Sequence, residues 1–153
     1  MRILDILPKK AIIPDLKGRT KRQVLEELID ALLLEKPELD SERLMAVLLE
    51  RERLGSTGIG DGIAIPHGKL RELDQLVLSF GKSALGVDFE SMDGKPVHFF
   101  FLLVVPENCI GIHLRALARI ARLLKNAPVR RRLGSVSTQD EVYAVIQQED
   151  EDF

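Results

Sequence analysis

Apolar positions change their period along the chain, and each change marks an element. Between residues 21 and 36, Val24, Leu25, Leu28, Ile29, Leu32 and Leu33 recur every three or four residues, which predicts an amphipathic helix. Thr20 precedes it as an N-cap, and Pro37 ends it. Asp40 and Ser41 offer cap oxygens to a second helix reaching about Leu54. Leu44, Val47, Leu48 and Leu49 form its inner side, with Gly55 as its C-terminal cap. The period then drops to two. Leu76, Leu78 and Phe80 alternate within residues 75–82, predicting a strand with one buried face. Residues 96–105 contain VHFFFLLVV, apolar on both faces, as in a central strand covered on both sides. Asp93-Gly94 predicts a turn between these strands, with residues 86–89 pairing across it. Residues 62–65 have room for a further short strand. Helical spacing returns after Gly111 at Leu114, Leu117, Ala118, Ile120, Ala121 and Leu124. Pro128 interrupts it, and residues 129–133 are expected to form a short turn. Thr138 with Glu141 then reads as a capping box for a last helix to about Gln148.

Two helices, then strands, then two or three helices do not alternate as a doubly wound sheet requires. The expectation is an α/β (α+β) fold, a mixed sheet of about five strands flanked by helices on both faces. One domain is expected over residues 1–153, its core about 2–148, with a frayed acidic tail at 149–153. Composition then removes function classes. The 22 basic residues stand against 24 acidic ones, a net charge of −2, so there is no basic excess for nucleic-acid phosphates. No apolar run approaches the roughly 18 residues of a membrane span, and residues 1–10 lack the pattern of a secretory signal. Cys109 is the one cysteine, so no internal disulfide is possible. A cytoplasmic protein without membrane insertion is expected.

Residues 55–69, GSTGIGDGIAIPHGK, carry the candidate chemistry. They fail the dinucleotide fingerprint, because Ile63 stands where the third glycine belongs and the segment follows a helix rather than a strand. They fail the nucleotide-phosphate loop too, since five residues separate Gly62 from Gly68-Lys69 and Leu70 supplies no hydroxyl for magnesium. His67, His98, His113 and Cys109 offer only a loose Cys109-x₃-His113 spacing, so no metal and no cofactor are expected. Ser56 and Ser79 lack the elbow of a serine hydrolase. His67 remains. It is either an inert, hydrogen-bonded turn residue or a nucleophile. Pro66 stiffens the backbone before it, Gly68 leaves one flank of the ring without a side chain, and the upstream glycines let backbone N–H groups approach an anion. Neutral imidazole is nucleophilic near pH 7, so a phosphoryl acceptor is the chemistry these features would serve.

Three stretches carry a family resemblance: RERLGSTGIGDGIAIPHGK from Arg51, DFESMDGKPVHFFFLLVVPE, and HLRALARIARLL from His113. Across nearly the whole chain the sequence resembles the IIA domains of the bacterial phosphoenolpyruvate-dependent phosphotransferase system, of the fructose–mannitol class. The resemblance implies that His67 accepts phosphate from HPr or a nitrogen-type HPr-like phosphocarrier. The group would then pass to a IIB cysteine, or the phosphorylation state would be read by a regulated transporter or kinase. It implies that His113 is the second active-site histidine and Arg51 the cation beside the phosphoryl group. Thr57, Gly58 and Gly68 are carried over as candidate lining of the phosphate pocket, although Ser56 and Thr57 could equally brace the loop. His98 matches no active-site position and is read as structural, and Arg130–Arg132 as a solvated face. The N-terminal stretch looks more like the stand-alone nitrogen-regulatory branch than the sugar-specific one.

Overall fold

A computed structural model describes residues 1–150. In chain order the strands are β1 (Ile12–Ile13), β2 (Gly58–Gly60), β3 (Ile63–Ala64), β4 (His67–Leu70), β5 (Val77–Val87) and β6 (Val97–Pro106). The helices are α1 (Lys21–Glu35), α2 (Ser41–Arg53), α3 (Ile110–Lys125), α4 (Ala127–Ser135) and α5 (Gln139–Glu149). The architecture is the expected one, a single α/β domain with a mixed sheet between helices. The sheet runs β1-β5-β6-β3-β2, with β4 also paired to β6.

The run VHFFFLLVV lies within β6, at the centre. From Phe99 onward its two-residue alternation sends Phe99, Phe101, Leu103 and Val105 into one apolar cluster and Phe100, Leu102 and Val104 into another; Val97, beyond the register shift with β5, joins the second. The first cluster is closed by Ile120 and Leu124 of α3, Leu133 of α4 and Ile146 of α5. The second is closed by Leu25, Leu28 and Leu32 of α1 with Leu44 and Leu48 of α2. A strand that is apolar all round is thus explained by two cores, one on each side. Ser79 is a buried polar residue on β5, and its hydroxyl donates to the Leu28 carbonyl at 2.9 Å.

β6 takes β5 antiparallel on one edge and both β3 and β4 parallel on the other. β3 and β4 are therefore two stretches of one line along β6, broken at Ile65-Pro66. Pro66 has no N–H to give, but its carbonyl accepts Leu103 N–H at 3.0 Å and keeps the line in register. β2 folds back on β3 through Asp61-Gly62, both at positive φ (58° and 76°), as a tight two-residue hairpin requires.

The structure departs from expectation in several places. The strand expected at 75–82 continues to Val87 with a register shift after Lys82, and only Val87, pairing with Val97, survives of the pairing expected for 86–89. The short turn expected at 129–133 is the nine-residue α4. Its cap is Asn126, whose side chain accepts Val129 N–H, and Pro128 sits in the first turn, where its missing N–H costs nothing. At α5 the Thr138 hydroxyl caps Glu141 N–H, and the Glu141 carboxylate reaches back to accept the Thr138 hydroxyl and Ser137 N–H. Leu114, expected inside, is exposed, while Arg119 is buried. Arg130 and Arg132 do not form a solvated face: Arg130 donates to the Leu124 carbonyl at 2.9 Å, and Arg132 binds Glu149 and Gln148. Residues 149 and 150 are not a frayed tail either. Asp150 is buried, pairs with Arg119 and accepts Ile3 N–H at 2.6 Å. Residues 151–153 of the expected tail lie outside the described residues.

Candidate functional site

His67 opens β4 directly after Pro66, half-buried. Its Nδ1 lies 2.8 Å from the Ile65 carbonyl oxygen, which can only accept, so Nδ1 carries the proton and donates it. In the neutral ring the lone pair is then left on Nε2. β6 ends at Pro106 and α3 begins at Ile110, so the first turn of α3 comes down beside the start of β4. That turn carries His113, whose ring meets the His67 ring edge-on, centroids 5.6 Å apart and planes at 80°. The two histidines are 46 positions apart in sequence, and the β4–β6 pairing followed by α3 brings them together. Cys109 and His113 stand one turn apart, and among the described residues no three metal-ligating side chains gather.

The arrangement favours the neutral form of both rings. Burial pushes the His67 pKa below its ordinary value; the Ile65 hydrogen bond works against this, Arg51 adds to the lowering, and Glu52 opposes it. His113 is lowered by burial first, then by His67 and by Lys69. Arg51 lies in the last turn of α2 and donates to the Gly55 carbonyl at 2.8 Å. Its permanent positive charge thus stands near His67, and α3 directs its positive N-terminal end to the same place. A neutral nucleophilic nitrogen beside two sources of positive potential suits the acceptance of a dianionic group.

The other candidates are placed differently. Thr57 is buried and turns its hydroxyl and its N–H to the Glu52 carboxylate. Gly58 N–H donates to Ser56 Oγ at 3.0 Å and its carbonyl accepts Met92 N–H, so both its backbone groups hold the loop. A Cβ on Gly58 would come 2.9 Å from Ser91 Cα. Gly68 does not free the flank of the His67 ring; its bare Cα admits α2, since a Cβ there would lie 2.7 Å from Val47 Cγ1. These three residues frame the site rather than line it. His98 is structural in the plain sense that its Nδ1 bonds the Ser83 carbonyl at 2.8 Å.

Two residues near the site escaped the sequence reading. Glu52 continues the inward row Leu44, Leu48, Glu52 of α2, so its burial was signalled by a four-residue spacing. Lys69 lies two residues after His67 on β4 and so shares its face, but the strand itself went unpredicted.

Residues 5–149 match the model of the phosphoenolpyruvate-dependent sugar phosphotransferase system EIIA 2 family. The chain is 42% identical over 146 residues to a nitrogen regulatory protein of Bradyrhizobium diazoefficiens, covering 95% of each. It is 35% identical over 150 residues to the fructose-specific EIIABC component of Bacillus subtilis, spanning 98% of this chain but only 24% of that protein. The crystal structure of nitrogen regulatory protein IIA-Ntr from Neisseria meningitidis superposes with a TM-score of 0.87 at 37% identity, covering 94% of this chain and 98% of that one. The chain belongs to the EIIA type 2 family of the phosphotransferase system, and it matches nitrogen-regulatory members over nearly their whole length.

Proposed function

We propose that His67 is the phosphoryl acceptor of a nitrogen-type IIA carrier, charged by an HPr-like phosphocarrier in the cytoplasm. The observation that carries this reading is the Nδ1–H···O=C bond to Ile65, which presents the Nε2 lone pair as the nucleophile. In the transfer, Nε2 attacks phosphorus and the P–N bond to the donor imidazole breaks. The electron pair returns to the donor nitrogen. Nδ1 keeps its proton, and the Ile65 carbonyl stabilises the positive charge that develops on the His67 ring. Arg51, His113 and the first turn of α3 face the incoming oxygens. Leu54, at the end of α2, and Leu114, beside His113, are large apolar side chains left exposed on the two elements that carry Arg51 and His113; they supply an anchor for a docking carrier.

The test is incubation with phosphoenolpyruvate, the general phosphotransferase enzyme and an HPr-like carrier, with mass detection of an acid-labile phosphoryl adduct. The adduct is expected on the native chain and absent from His67→Ala; labelling that survives the substitution refutes the assignment. Arg51→Ala is expected to keep the fold and slow labelling. A second reading, delivery to a IIB cysteine in sugar uptake, is favoured by the likeness to the fructose-specific component. It predicts that the phosphorylated chain discharges onto a IIB domain. The nitrogen-type reading predicts instead that a transporter or kinase binds the two phosphorylation states unequally.

A further inference from the structure

Glu52 is a carboxylate where α2 faces the core, with a side chain only 3% exposed. Such a group persists only where its oxygens are satisfied. Thr57 gives it both its N–H, at 3.2 and 3.3 Å from the two oxygens, and its hydroxyl. Lys21, at the start of α1, adds an ion pair at 3.0 Å, and is itself held by Glu90 at 3.2 Å. The connection does not stop at Thr57. Its carbonyl accepts Ile65 N–H at 3.1 Å, and the Ile65 carbonyl accepts Nδ1–H of His67 at 2.8 Å. An unbroken series of hydrogen bonds therefore runs from the buried carboxylate, across the β2–β3 hairpin, to the imidazole.

We propose that Glu52 is a positioning residue for His67. Anchored by Lys21, it fixes Thr57, and through the Thr57–Ile65 bond it aims the carbonyl that keeps the His67 proton on Nδ1 and the lone pair on Nε2. The proposal deepens the phosphoryl-acceptor reading and rests on it. A tautomer is set by what the ring N–H meets, so an acceptor held in place from behind is worth as much as the acceptor itself. Glu52 also offsets Arg51 electrostatically at His67, since the two act on the ring in opposite directions.

Glu52→Gln keeps the shape and an acceptor for Thr57 N–H while removing the charge. Two quantities are measured on the full chain: the labelling rate from the phosphorylated carrier, and the tautomer and titration of the His67 ring by nitrogen-15 NMR. The rate is expected to fall about 10- to 100-fold, the scale known for the outer partners of metal-bound histidines. The ring is expected to populate the Nε2–H tautomer and to titrate at lower pH than in the native chain. Asp140→Asn removes the charge of an exposed ion pair with Lys9, outside this network, and should leave both quantities unchanged. A folded Glu52→Gln with native rate and native ring spectra overturns the proposal, as does a slower rate with unchanged spectra, which marks a merely structural role. If Glu52→Gln does not fold, Thr57→Val decides by the same two readouts. A native chain that accepts no phosphoryl group overturns the acceptor reading instead, and the ring spectra then judge Glu52 alone.

Discussion

A neutral imidazole has one N–H and one lone pair, and its surroundings decide which nitrogen holds which. For His67 the decision falls to a single carbonyl, that of Ile65, two residues earlier. That bond lies at the break between β3 and β4, where Pro66 brings no N–H to the strand line. The Pro-His motif was legible in the sequence. The bond was not, because it depends on a backbone path set by pairing with β6. A pH dependence follows from the lowered pKa values. Burial disfavours the imidazolium form of both His67 and His113, so their folded-state values lie below the ordinary 6.5. The fall in transfer rate with acidification should therefore be centred at a lower pH than the roughly 6.5 at which a free imidazole is half protonated. Stability has the matching sign. Below about pH 6.5 the unfolded chain binds protons that the folded one does not, so unfolding free energy falls with pH until the folded-state values are passed. Labelling rates and urea midpoints measured between pH 5 and 8 check both. A rate that already halves at pH 6.5 would place His67 in an ordinary, solvated environment.

Between elements, the critical spacing is that of α2 and β4. α2 carries Arg51 and Glu52, β4 carries His67, and at Gly68 the bare Cα admits Val47 of the helix. Gly68→Ala would set a Cβ 2.7 Å from Val47 Cγ1, and a β-branched side chain on a helix has little rotamer freedom to yield. The helix must shift instead. The expected cost is about 1–3 kcal/mol in urea unfolding, and the labelling rate should fall as well, because the shift separates Arg51 and Glu52 from His67. Stability lost without loss of rate would show that the site tolerates movement of α2. The two helices were readable in advance because Thr20 and Asp40 cap them through local hydrogen bonds, to Gln23 N–H and to Glu42 and Arg43 N–H. β2 and β4 were not readable. Gly58–Gly60 and His67–Leu70 have little strand propensity of their own, and they are strands because a hairpin and β6 offer them partners. The Asp61-Gly62 turn signal was present in the sequence, inside a glycine-rich stretch whose other glycines mask it.

Across the molecule, the last described residue closes the fold on its beginning. Asp150 follows α5, is 8% exposed, and takes Ile3 N–H on Oδ2 at 2.6 Å. Its Oδ1 stands 3.6 Å from Arg119 Nε, while Arg119 gives an NH2 hydrogen bond to the Glu149 carbonyl at 2.7 Å. Sequence patterning could not reveal this closure. An acidic run near the chain end resembles a solvated tail, and its partners lie 31 and 147 positions away. At 3.6 Å, Arg119 Nε and Asp150 Oδ1 share charge but no hydrogen bond, and among the described residues neither atom has another partner. The pair is therefore expected to add little beyond a hydrophobic replacement, yet to be costly to break from one side. Asp150→Ala would leave a buried guanidinium without its counter-charge and Ile3 N–H without its acceptor, a loss of about 3 kcal/mol. For a chain of this size that lowers the melting temperature by about 6–12 °C. Adding Arg119→Leu should recover part of the loss, because no unpaired charge then remains buried. Labelling of His67 at 25 °C should be little changed in either variant, since neither residue belongs to the α2–β4 frame. A melting temperature unmoved by Asp150→Ala would show that residue 150 does not close the fold, and a double variant less stable than Asp150→Ala would show that Arg119 contributes through packing and the Glu149 carbonyl rather than through the pair.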